Sequence, residues 1–224
     1  MTTARYDGHA DWYHENFPQP LDEDATTLAG LLGPGTGQVC LDLACGTGRY
    51  LPAIAAAGYR PLGLDLSADQ LRIARGNGHG LARADARALP LPSASVAAAV
   101  SMYSHTDVED FAAVVAEVAR CLRPGGRFGY IGVHPCFVGM FVDRVTETQD
   151  GSLWFRPGYG TGGWAERATP GRLGLSNRVG FHHKTLAGFL GAFTGAGLHL
   201  TGVTELWRNG VVLPRDIAIA ATRP

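Results

Sequence analysis

A chain of 224 residues is long enough for one domain with a full hydrophobic core and a modest insertion beside it. Its 19 lysines and arginines balance 20 acidic residues and its apolar fraction is 46%, which excludes a nucleic-acid-binding field and a disordered tail and points to a small partner of low charge. No stretch approaches the roughly twenty apolar residues of a membrane span and no leader-like apolar run follows a basic segment, so a cytoplasmic protein that engages neither nucleic acid nor membrane is expected. Cys40, Cys45, Cys121 and Cys136 lack C-x-x-C spacing, which argues against a disulfide framework or structural zinc.

Residues 1–20 interleave Tyr6, Trp12, Tyr13 and Phe17 with Asp7, His9, Asp11 and His14. This reads as a short aromatic helix or lid, against the alternative that the rings simply pack on the core. Ala25, Leu28, Ala29 and Leu32 keep helical spacing until Gly33-Pro34-Gly35 ends the run. Val39, Leu41 and Leu43 then alternate as a buried strand does, with Asp42 inside it, and Gly46, Thr47 and Gly48 break the pattern before an Ala-rich helix. Such a turn lets backbone N–H groups approach a ligand, and the acid beside it suits a cofactor with polar and cationic groups. It has neither the Lys-Ser/Thr of a phosphate-cradling loop nor the three-glycine spacing of a dinucleotide fingerprint.

Arg60 to Asp65 reads as a second strand, and an acid at its carboxyl end, about twenty residues past the glycines, can accept hydrogen bonds from both ribose hydroxyls. Helix capping is the competing role for Asp65, but Ser67 is the better cap, with Gln70 completing a capping box. Ser67 to Arg75 is helical, and His79 to Ala84 is a third strand ending at Asp85. Val96 to Ser101 is a fourth, apolar enough for burial on both faces. His105 follows it directly, where a doubly wound enzyme places chemistry, and is a candidate general base; capping the next helix is its alternative role. Phe111 to Leu122 is a helix, Leu122 to Gly126 a turn, and Arg127 to Val133 a fifth strand.

Residues 134–183 lose regular patterning and gather Phe137, Phe141, Trp154, Phe155, Tyr159, Trp164 and Phe181 among glycines. Some fifty residues is long for a connector, which makes the segment a substrate cap or lid, where His134 and His182-His183 could converge on one pocket. Lys184 to Ala196 is a helix, and Leu198–Trp207 and Val211–Ala221 are strands joined by a turn at Arg208-Asn209-Gly210.

The D-x-x-C-G-T-G pattern from Asp42 to Gly48 resembles motif I of the class I S-adenosylmethionine (SAM)-dependent methyltransferases. ADARALPLP after the third strand and LRPGGRF before the fifth are similar to further features of that family, whose elements find counterparts in order over residues 22–222. The resemblance implies an α/β fold with a doubly wound, mostly parallel seven-stranded sheet closed by a C-terminal antiparallel hairpin. It implies a single domain over 1–224, with the lid at 1–20 and the cap at 134–183 outside the common core. SAM would be held by Asp42, Ala44, Gly46 and Gly48, with Asp65 on the ribose, Leu66 against the adenine, Asp85 and Ala86 on the adenine edge, and Ser101 and Tyr6 bordering the site.

Methyl transfer to a small, aromatic or apolar acceptor at oxygen, nitrogen or carbon follows from that reading, with specialised metabolism as a setting. A phenol, hydroxyl or enol acceptor needs proton removal, for which His105, His134 and His183 are candidates, His105 first; an amine needs positioning alone. No metal is expected, because the histidines lack close ligand spacing. The competing classes are a SAM-binding module without catalysis and an NAD-type oxidoreductase, the latter disfavoured by the absent third glycine.

Overall fold

The computed structural model describes residues 4–17, 22–139, 141–144, 153–155, 157–165, 176–207 and 213–224. Five strands, β1 (Val39–Leu43), β2 (Arg60–Asp65), β3 (Gly80–Arg83), β4 (Val96–Met102) and β5 (Leu122–Val133), run parallel. With β10 (His199–Leu206) and β11 (Asp216–Thr222) they form one sheet in the order β10-β11-β5-β4-β1-β2-β3. The terminal strands are antiparallel to each other as expected, but β11 is the inner one, pairing antiparallel with β5 and leaving β10 at the edge. The turn expected at Arg208–Gly210 lies outside the described residues.

Alternation along the strands supplies both cores. Leu41 and Leu43 of β1, with Ala99, Phe128, Ile217 and Ile219, pack against α5 (Phe111–Cys121) and α7 (Leu186–Gly195). Cys40, Ala98, Val100 and Ile131 face α2 (Asp22–Leu32) and α3 (Leu51–Ala56) on the other side. β1 pairs with β2 on one side and β4 on the other, so the chain winds outward to β3 and then returns past its start. Crossovers on opposite faces open a crevice at the carboxyl ends of β1 and β4, the usual ligand position in such sheets.

Remaining elements surround that crevice. The N-terminal helix α1 (Ala10–Asn16) lies against α4 (Ala68–Ala74), tied by Arg72 to Asp11 at 2.8 Å, Gly8 N–H to Asp69 at 2.7 Å and the Ser67 hydroxyl to Asp7 at 2.6 Å. The segment after β5 is not patternless: it forms two antiparallel pairs, β6 (Val142–Arg144) with β7 (Leu153–Phe155) and β8 (Gly163–Ala165) with β9 (Phe181–His183), plus a short α6 (Ser176–Val179). These strands are three residues each, below the length at which alternation is visible in a sequence.

Candidate active site at the carboxyl ends of the central strands

The loop after β1 takes left-handed backbone at Ala44 (φ 54°), Gly46 (56°) and Gly48 (74°). A Cβ at Gly48 would lie 2.9 Å from Leu51 Cδ1 and 2.7 Å from Asn77 Nδ2, so only glycine packs there, and Asn77 donates to the carbonyls of Thr47 and Gly48. At Gly46 a Cβ would meet only Gln70 Oε1, at 3.6 Å, so the loop backbone is open to an approaching ligand. Ala44 adopts the same hand without glycine's freedom, a strain that concentrates at functional turns.

Around this loop sit buried polar groups with no hydrogen-bond partner among the described residues: both carboxylate oxygens of Asp42, the Thr47 hydroxyl and the Gln70 amide. Asp42 is 1% exposed, and burial, reinforced by nearby Asp65, pushes its pKa up to about 8. Unsatisfied buried groups cost about 1–3 kcal/mol each, so a cluster of them marks a surface shaped for a polar ligand. The narrow cleft they border is lined by Tyr13, Asp42, Gly46, Thr47, Arg49 and Met102. A larger cavity of about 240 Å³, lined by Tyr59, Arg123 and Arg127, opens near the amino ends of β4 and β5. None of the unpartnered groups borders it, and the chemistry belongs to the smaller cleft.

Asp65 accepts Gly46 N–H and Ser67 N–H, both at 2.8 Å, and so fixes the loop to the start of α4. Burial raises its pKa, opposed by the backbone N–H groups of Ser67, Gly46 and Leu66, and three donors against about four lone-pair sites leave the carboxylate room for a hydroxyl donor. Ser67 caps α4 by accepting Gln70 N–H at 3.2 Å. The expected capping box is only half formed, because the Gln70 side chain does not return the bond and joins the unpartnered groups of the cleft instead.

Other expected contacts are already engaged. Asp85 is gripped by Arg87 through its backbone N–H and guanidinium at 2.7–3.0 Å, which lowers its pKa; Leu66 and Ala86 are half-buried beside it. Ser101, fully buried, donates to the Leu43 carbonyl at 2.9 Å and meets the Ser104 hydroxyl at 2.6 Å, so it joins β1 to the end of β4. Tyr6 donates to Asp107 at 3.1 Å, and burial carries that carboxyl up to about 7.

The three histidines differ in the lone pair each has left. His105 is 2% exposed among Phe111, Tyr130 and Phe189, with Nδ1 2.5 Å from the Tyr130 hydroxyl. Burial, with Lys184 and His183 adding to it, pushes its pKa down to about 3, which describes a packed core histidine and not a poised base. The cause is local: Tyr103 takes φ 59° directly after β4, turning the chain, while Lys184 Nζ donates to the carbonyls of His105 and Val108 and pins the new course. His134 accepts Cys136 N–H at Nδ1, so its proton is on Nε2, which faces Glu205 at 3.1 Å; both nitrogens are used.

His183 donates from Nε2 to the Tyr159 carbonyl at 2.8 Å, which leaves the lone pair on Nδ1, and no described residue donates to it. Its neighbour His182 gives its backbone N–H to the Thr106 carbonyl, seating β9 against the segment that follows β4. Ring contacts run from His183 through Phe141 (4.7 Å) and Phe155 (6.3 Å from Phe141) to Phe137 (6.5 Å) and His134 (4.6 Å). His134 and His183 share one chain of ring contacts, whereas His105 packs against Phe111, Tyr130 and Phe189.

Cys45, Thr47, Arg49, Tyr50 and Met102 line the cleft without having been assigned from the sequence, although Cys45, Thr47 and Arg49 adjoin the motif glycines and Tyr50 follows them, and Gln70, which approaches Gly46, was masked by its capping position. Among the described residues no group of three or more His, Cys, Asp or Glu gathers to hold a metal, and no helix is long and apolar enough to cross a membrane.

Residues 41–129 match the family model described as a methyltransferase domain. The fold is similar to a SAM-dependent methyltransferase from Mesorhizobium loti, 26% identical, with a TM-score of 0.75 over 97% of this chain and 99% of that one. It is also similar to a SAM-dependent methyltransferase from Methanosarcina mazei (18% identity, TM-score 0.61, 84% and 93% covered). A geranyl diphosphate C-methyltransferase from Streptomyces coelicolor, solved with Mg²⁺, geranyl diphosphate and S-adenosyl-L-homocysteine, aligns at 18% identity and TM-score 0.61, with 90% of this chain and 79% of that one covered. No curated protein sequence matches the chain.

Proposed function

We propose that this chain is a class I SAM-dependent methyltransferase and that it methylates a small, flat or apolar acceptor at a hydroxyl, phenol or enol oxygen, with His183 taking the proton. SAM supplies an electrophilic methyl on a sulfonium. Its cationic and hydroxyl-bearing parts suit the residues present: Asp42 offers an unpartnered carboxylate to an ammonium, Asp65 remaining acceptor capacity to the ribose, and the open Gly46 loop a close backbone approach. The proposal gives Asp85 and Ala86 the adenine edge, Asp85 by a lone pair that Arg87 does not use, and gives Leu66 its face. Ser101 acts by fixing β4 to β1, and Tyr6 by anchoring the N-terminal segment.

The observation that carries the catalytic part is the His183 tautomer. A backbone carbonyl can only accept, so the Tyr159 contact fixes the ring proton on Nε2 and presents Nδ1 as the base. Phe137, Phe141, Phe155 and Tyr159 give the acceptor an apolar, ring-lined surface that excludes water while its oxygen is held in line with the methyl. His183 Nδ1 would take the acceptor's proton, and SAM, when bound, would supply the methyl and keep the electron pair of the broken methyl–sulfur bond, leaving as the thioether S-adenosylhomocysteine.

Replacing His183 with Ala tests this. Turnover on a hydroxylated aromatic acceptor is expected to fall by roughly 10²–10⁴ with S-adenosylhomocysteine affinity intact. Burial lowers the His183 pKa, so the wild-type rate rises with pH to a plateau with its midpoint below the ordinary histidine value. Full activity with a flat pH profile in the variant leaves positioning alone as the mechanism.

A further inference from the structure

Charge is segregated between the two ends of the sheet, which a net charge of −1 conceals. Asp42, Asp65 and Asp107 lie at or beyond the carboxyl ends of β1, β2 and β4. Arg60, Arg123, Arg127 and Arg223 lie at the other end, at the start of β2, in the first half of β5 and just past β11. Two of these arginines, Arg123 and Arg127, face the 240 Å³ cavity near the amino ends of β4 and β5, together with Gln38 and Tyr59, and no acid lines it.

Local contacts hold those walls in place. Gly125 takes left-handed backbone (φ 74°), and the turn it makes is clamped to the end of β11. Gly125 N–H donates to the Arg223 carbonyl at 2.8 Å, and Arg223 N–H to the Gly126 carbonyl at 2.9 Å. Arg127 Nη1 and the Tyr59 hydroxyl both donate to the Leu32 carbonyl at 3.0 Å, so one bond anchors the guanidinium to the end of α2 and most of its five donors remain. Gln38 Oε1 accepts Thr36 N–H at 2.5 Å, which orients the amide and leaves its NH₂ to donate. Among the described residues neither Arg123 nor Arg127 forms an ion pair. Two guanidiniums on one cavity without an acid between them repel until an anion joins them. Donors come from the residue before β1 and from two places on β5, and a tetrahedral oxyanion accepts from all sides where a carboxylate accepts in one plane.

We propose that this cavity is a second binding site, at the opposite end of the sheet from the cleft, for a small phosphate-bearing ligand held by Arg123, Arg127 and Gln38. It stands independently of what the cleft binds.

Pyrophosphate, titrated calorimetrically into the full chain at low ionic strength, is the probe. One site is expected, filled equally with and without saturating S-adenosylhomocysteine. Arg123→Met, at an exposed position, should weaken binding by about 10- to 100-fold with the melting temperature unchanged, and Arg127→Lys, which keeps the charge but loses the fork, should fall between. Arg60→Met removes a charge from the same end of the sheet but not from the cavity wall, and should weaken binding less than about twofold. Equal losses in Arg60→Met and Arg123→Met would reduce the site to a diffuse field and overturn the proposal. A wild type that does not bind pyrophosphate, competition between pyrophosphate and S-adenosylhomocysteine, or citrate binding as tightly as pyrophosphate would each overturn it too.

Discussion

Asp42→Asn separates the stability of the empty cleft from its function. The wild-type carboxyl is raised from an ordinary 3.8 to about 8 by burial first and by Asp65 second. Between those values the folded chain keeps a proton that the unfolded chain has released, so stability contributed by this site falls as pH rises through the window. The limiting slope is about 1.4 kcal/mol per pH unit, and the loss from pH 5 to pH 7 is about 2–3 kcal/mol. Asparagine has no proton to release, so denaturant unfolding at the two pH values should show the wild type losing that amount relative to the variant, other titrating groups cancelling in the difference. Ligand binding has the opposite dependence: an ammonium beside Asp42 favours the ionised form, so apparent affinity for S-adenosylhomocysteine rises about tenfold from pH 6 to pH 7. Close to one proton should leave on binding at pH 7, visible as a dependence of the binding enthalpy on the buffer's ionisation enthalpy. Parallel pH slopes for wild type and Asp42→Asn, or binding at pH 7 without proton release, would refute the reasoning.

Asp65→Ala should weaken S-adenosylhomocysteine by on the order of 1.5–3 kcal/mol and also lower the melting temperature, because Gly46 N–H and Ser67 N–H both lose their acceptor; melting lowered with affinity unchanged would leave Asp65 a purely structural role. His105→Ala should cost about 2–4 kcal/mol in denaturant unfolding, since it opens space between Phe111 and Phe189 and strips the buried Tyr130 hydroxyl of its side-chain partner, leaving it only the backbone N–H of residue 105. The His105 pKa is depressed from 6.5 to about 3, so the wild type loses stability as pH falls through that window, and the variant should lose less; an equal loss in both would place the histidine's titration elsewhere.

Signals carried within a few residues were legible. Alternation over five residues marked β1 with Asp42 inside it, the glycine spacing marked the turn, and the acid at the end of β2 marked the partner strand. Ser67 was correctly the cap of α4, yet the same four-residue pattern misread Gln70, because a capping box is a local option that a nearby ligand surface can override. Arg87 lay two residues from Asp85, close enough for its claim on that carboxylate to be anticipated. The strand pairs inside residues 134–183 were not legible, because strands of three residues held by partners far along the chain leave no period to read.

The choice among the histidines shows where sequence reasoning had to stop. A doubly wound topology fixes the carboxyl end of β4 as the place for chemistry, and that rule rightly drew attention to the segment around His105. It does not fix which way a side chain leaves that segment. One left-handed residue, Tyr103, and one lysine from the far side of the cap, Lys184, decide that His105 turns into the aromatic core. On the proposed mechanism the usable lone pair lies on β9, where the Tyr159 carbonyl, 24 residues earlier in the chain, dictates the tautomer of His183. On that proposal a base is defined less by its distance from a motif than by what its other nitrogen is bound to. That condition is set by tertiary contacts alone, and it is the one by which the three histidines, identical in residue type and similarly placed beside strand ends, acquire different chemistry.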